Sequence, residues 1–139
     1  MIDNNSMTTD PLSEAMRVRL RDLRARLLTL HKALLDSERV AYERVHGAVS
    51  AGEMLQLAIG HEQFAWLHPI SELIVRIDEL MAVRGPKPTE TDGLTVIAEA
   101  RRLLSPADGE QGFAGRYNQA LQRDPAAVLE HREIKRLLS

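Results

Sequence analysis

The chain has 139 residues, a formal charge of −2 and 44% apolar residues, which suits one ordinary globular core and no strong pull toward nucleic acid. It has no cysteine, which excludes disulfides, thiol nucleophiles and thiolate-held metals and fits a reducing cytoplasm. No apolar run approaches the roughly 20 residues of a membrane-spanning helix, and the opening MIDNNSMTTD lacks the basic start and apolar stretch of a signal peptide.

Aromatic residues make up only 4% of the chain, while leucine and alanine dominate, so helix is favoured over sheet. Residues 1–12 read as a frayed tail, and 13–139 as a single helical domain. From Ser13 onward, Met16, Leu20, Leu23, Leu27, Leu30, Leu34, Ala41, Val45 and Ala48 recur in steps of three, four or seven. This is a heptad stripe with one polar step at Ser37-Glu38. No glycine or proline interrupts it before Gly47, so it predicts one helix about 50 Å long. A helix of that length needs a packing partner, because propensity alone does not hold it.

Gly47 suits a C-terminal cap, and Ser50 with Glu53 forms the S-x-x-E pattern that opens a helix. The turn is short, which predicts an antiparallel hairpin. The second helix is expected over about 51–83, with Leu55, Ile59, Trp66, Ile70, Leu73, Ile77 and Leu80 on its inner stripe. Pro69 predicts a kink inside it; the rival reading is a clean break with a new helix starting there. RGPKPTETDG, residues 84–93, reads as a mobile loop. A third helix follows over about 91–104, then a turn over 106–112, a fourth helix marked by Phe113, Tyr117, Ala120 and Leu121, and a restart at Asp124-Pro125. The last helix carries Ala127, His131, Ile134 and Leu138 on one face. The expected fold is all-α: a long antiparallel helical hairpin completed to a four-helix-type bundle by shorter C-terminal helices.

Glu38 and Glu62 fall on the edges of the two apolar stripes, at nearly the same height of the hairpin. Two inward carboxylates need a cation, an arginine or a shared proton between them. A salt-bridged or solvent-reaching edge is the leading reading. A divalent metal held by Glu38 and Glu62 with help from His31 and His131 is the sharper one, and a polar ligand pocket is the third. Against the metal stands the motif: inward-glutamate bundles use two Glu-x-x-His pairs, and this chain has one, Glu43 to His46. His61, His68 and Glu72 share a helical face roughly opposite Trp66 and read as surface, with a divalent-metal triad and an oligomer contact as the alternatives. Arg17, Arg19, Arg21, Arg24 and Arg26 read as the solvated flanks of the leucine seam rather than a nucleic-acid patch. Tyr42 and Tyr117 read as buried hydrogen-bond donors. Glycine-rich phosphate loops and a nucleophile elbow are missing from the sequence.

Two phrases, F-A-W-L-x-P-x-S-x-L from Phe64 to Leu73 and Y-N-x-A-L-Q-x-x-P from Tyr117 to Pro125, resemble stretches of small helical bacterial proteins of unassigned function. The resemblance implies a bacterial origin and a helical fold, and brings no activity or site residue with it. The later helices are shorter than the first two, so part of the hairpin's apolar stripe is expected to remain uncovered. The functional expectation is a non-enzymatic cytoplasmic bundle that acts through self-association, most simply as a homodimer, or through a protein partner.

Overall fold

The computed structural model describes residues 10–82, 87–105 and 112–139, and seven helices lie among them. They are α1 (Glu14–His46), α2 (Ala51–Gly60), α3 (Glu62–Ala65), α4 (His68–Met81), α5 (Glu90–Leu103), α6 (Gly112–Arg123) and α7 (Pro125–Leu138). The fold is an all-α bundle; among the described residues the only extended pairing is one bridge between Pro11 and Thr89.

The heptad stripe becomes the spine. Met16, Leu20, Leu23, Leu27, Leu30 and Leu34 are all buried along one side of α1. Side-chain contacts fix the direction of its neighbours. Arg19 donates to the carbonyl of Leu137, Arg26 pairs with Glu130, and Arg123 pairs with Glu38, so α7 runs antiparallel to α1. Arg24 pairs with Asp78, and His31 shares a hydrogen bond with Ser71, so α4 is antiparallel to α1 as well. Helix α5 returns beside α4 and completes four packed helices, α1, α4, α5 and α7, around a core that includes Ile70, Ile77, Ile97, Ala100, Ala127 and Ile134. Helix α6 brings Tyr117 and Ala120 into the same core.

The helix starts follow local chemistry. Ser13, Ser50 and Asp124 each cap a helix by accepting a backbone amide, and Thr89 with Asp92 forms a reciprocal capping box. Gly47 ends α1 at φ +84°, a conformation that glycine adopts without strain. Gly93 matters for space instead. A Cβ built there would lie 2.8 Å from Met16 Cγ, so its bare backbone is what lets α5 approach α1.

Three expectations are corrected. The expected tail reaches residue 12, but Asp10 to Leu12 are held: the Asp10 carbonyl accepts from Glu90, and Leu12 enters the core. The earlier tail residues, most of the RGPKP loop and the 106–111 turn lie outside the described residues. The second helix is not continuous with a kink. It ends at Gly60, His61 turns extended (φ −86°, ψ 135°), one short turn of helix follows, and α4 begins afresh with Pro69 in its first turn. Glycine is a weak helix former, and the first turn is where proline's missing amide costs nothing. Finally, Leu55 and Ile59 do not share the core stripe of Trp66 and Ile70. They are 63% and 67% exposed, because the break at His61 resets the helical phase between them and the residues that follow.

Candidate association surface and polar cluster

Glu38 is the one buried charged side chain among the described residues, at 4% exposure. Its Oε1 accepts from Arg123 at 2.8 Å, and its Oε2 accepts from the Gln63 amide at 3.1 Å. The same amide also donates to the Glu38 backbone carbonyl at 3.2 Å. One carboxylate therefore ties α1 to α3 and to the end of α6. A buried carboxylate is tolerated when both oxygens are paired in this way.

The other candidates of the sequence are elsewhere. Glu62 is exposed and does not meet Glu38; its neighbour Gln63 holds that position because α3 restarts after His61 in a new phase. His31 shares a 3.0 Å hydrogen bond with the Ser71 hydroxyl. Burial, and then the nearby His68, lower the pKa of its imidazole. His131 Nδ1 shares a 2.7 Å hydrogen bond with the Tyr117 hydroxyl, and burial followed by the charge of Lys135 lowers its pKa too. Burial pushes the Tyr117 phenol well above the usual range. Glu38, Glu62, His31 and His131 are thus not gathered around one point. Among the described residues no group of three or more histidines and acids is placed to share a metal ion. His61, His68 and Glu72 are all exposed. The His61 Nδ1 accepts the Gln63 amide and starts α3, while the His68 Nε2 lies 3.2 Å from the Ala58 carbonyl. Of the five arginines at the start of α1, Arg19, Arg24 and Arg26 are already committed to α4 or α7.

Above Glu38 the packing changes. The last two turns of α1 carry the stripe onward to Val45, which is 77% exposed. The turn beyond is fixed by polar groups: Glu43 accepts the Val49 amide at 2.9 Å, and Arg39 donates to the Val49 carbonyl at 3.4 Å. Tyr42 bridges the segments, its ring 5.4 Å from His61 and 5.9 Å from Phe64. Helix α2 buries only Met54 and turns Leu55 and Ile59, one helical turn apart, to solvent. The same end of the molecule displays charges of both signs. Arg44, Glu53 and Glu62 are exposed and have no ion-pair partner among the described residues.

A third feature is an aromatic run. The Trp66 ring lies 5.6 Å from Phe113, Phe113 stacks on Tyr117 at 5.4 Å, and Tyr117 reaches His131. The Trp66 indole N–H is enclosed without an acceptor among the described residues. Phe113 also borders an open groove of about 520 Å³ between α4, α5 and α6.

Sequence reasoning missed Gln63 and Arg123. Gln63 was legible only after the break at Gly60-His61, and Arg123 lies 85 positions from its partner, on a helix whose orientation no local pattern gives. In comparisons with known proteins, the chain matches no family model, no curated protein and no solved structure. No helix among the described residues is long and apolar enough to cross a membrane.

Proposed function

We propose that this protein acts by association rather than catalysis, as a homodimer joined through the end of α1 and the outer face of α2. The observation that carries the reading is the exposure of Leu55 and Ile59 on a helix that buries only Met54 among the described residues, together with the exposure of Val45 near the end of α1. Covering an aliphatic side chain of this size contributes on the order of 1.5–3 kcal/mol, so a surface that buries several of them gains from a partner. A second copy suits the charges. A two-fold interface brings one patch against itself, and Arg44 of one copy then finds Glu53 or Glu62 of the other. The bacterial, cytoplasmic setting belongs to the same proposal and rests on the cysteine-free composition and the helical resemblance.

Sedimentation equilibrium tests it. The expected result is a reversible dimer that becomes a monomer when Leu55→Glu and Ile59→Glu are combined, with the circular dichroism spectrum unchanged. A wild-type monomer at about 100 μM, a weak-interaction concentration, or a dimer indifferent to the double substitution contradicts it.

A further inference from the structure

We propose that the groove between α4, α5 and the start of α6 is a binding site for a small zwitterion with an apolar body, of the class formed by large apolar amino acids and their dipeptides. Its floor is apolar, made by Leu73, Leu103 and Phe113. Its volume of about 520 Å³ lies within the range of sites that enclose small organic ligands. The charges around it are what specify the ligand.

Helices α4 and α5 are antiparallel neighbours, and Arg76 pairs with Glu99 across them. One helical turn further, toward the start of α4 and the end of α5, the signs are reversed. Glu72 lies level with Leu103 and beside Arg102, and all three border the groove. Here no pair forms. Glu72 and Arg102 are exposed, and neither side chain has a hydrogen bond or ion pair with any described residue. Phe113 and Ala114 of α6 join the groove's lining beside them. A carboxylate and a guanidinium thus stand unpaired beside one apolar floor, next to a wall whose own charges neutralise each other. Glu72 suits an ammonium group. The planar fork of Arg102 suits a carboxylate, which it can hold through two parallel hydrogen bonds. Leu73, Leu103 and Phe113 receive the apolar body.

The protein supplies a reporter. Trp66 is the only tryptophan, and its ring lies 5.6 Å from Phe113, so its emission senses a ligand resting on that ring. Titrations of the full chain with L-leucine, L-phenylalanine and leucyl-phenylalanine, followed by Trp66 fluorescence and by calorimetry, test the proposal. The expected result is saturable binding by at least one zwitterion. Arg102→Gln and Glu72→Gln, both at exposed positions, each weaken it roughly tenfold or more, the loss of one charge-assisted contact. N-acetylated leucine, which has no cation, binds the wild type more weakly and is indifferent to Glu72→Gln. No saturable response up to about 10 mM, where a site of millimolar affinity is mostly filled, overturns the proposal. So does equal binding by the wild type and both variants, or equal binding of the zwitterion and its acetylated form.

Discussion

Leu20, Leu23, Leu27, Leu30 and Leu34 are fully enclosed, whereas Val45 on the same helix, and Leu55 and Ile59 just across the turn, stand mostly in solvent. The residues are of the same kind, and their neighbours make the difference. Over its first two-thirds α1 is flanked by α4 and α7, each antiparallel to it. At Glu38 that arrangement closes, with Gln63 and Arg123 on either oxygen, and beyond it the described neighbours of α1 are the turn into α2 and the His61–Phe64 segment that meets Tyr42. The lower region is held by apolar burial. The upper one is held by a handful of polar contacts, from Arg39, Glu43 and His68, with Tyr42 as its main ring contact. Segments held in this way open at lower free energy than a packed core.

Substitutions should separate the two regions sharply. Leu27→Ala removes a fully buried side chain from the spine and is expected to cost ~2–5 kcal/mol in urea denaturation. Gly93→Ala forces Met16 aside where α5 meets α1, and overpacking of this kind costs ~1–3 kcal/mol; a more stable variant would show that Met16 yields freely. Arg123→Ala leaves the Glu38 carboxylate short of its cation at the boundary. It is expected to cost ~1–3 kcal/mol, and adding Glu38→Gln to it should recover part of that loss, since the amide carries no charge to strand. Leu55→Ser and Ile59→Ser should alter unfolding of the dilute monomer by no more than ~0.5 kcal/mol.

Acid should act on the packed region through His31 and His131. Both have folded-state pKa values lowered from 6.5, so the unfolded chain binds more protons in the window just below that value. Their contribution is fully present above pH 6.5 and is lost as the pH falls from there toward the lowered values. Thermal midpoints measured between about pH 8 and pH 5 should therefore drop on the acid side, and the drop should shrink when His31→Gln and His131→Gln are combined. A midpoint independent of pH over that span would mean that the two imidazoles meet similar surroundings in the folded and unfolded chains.

The packed region was legible in the sequence, and the outer end was only partly so. The stripe from Met16 to Leu34 is readable because each buried leucine falls three or four residues from the last, a spacing only one helical face satisfies. Asp124-Pro125 was readable because an acidic cap followed by proline is a local start signal. The second helix misled because Leu55 and Ile59 lie in phase with Trp66 and Ile70 if the helix is drawn straight through. Gly60 followed by His61, whose ring accepts the amide two residues on, was the signal that it is not. The polar cluster was half readable. Glu38 stood out as a carboxylate in an apolar stripe, but its partners depended on a phase reset and on the packing of a distant helix, neither of which is written in local spacing.

Amide hydrogen exchange measured at low and high protein concentration compares the two regions in one experiment. The account predicts that amides of 51–60 and of the last turns of α1 exchange quickly in dilute protein and slow as concentration rises. Those of 16–34 should remain equally protected throughout, and the concentration effect should vanish with Leu55→Glu and Ile59→Glu combined. Exchange in α2 that is independent of concentration, or as slow in dilute protein as that of the leucine spine, would contradict the claim that this end of the molecule is completed by a second copy.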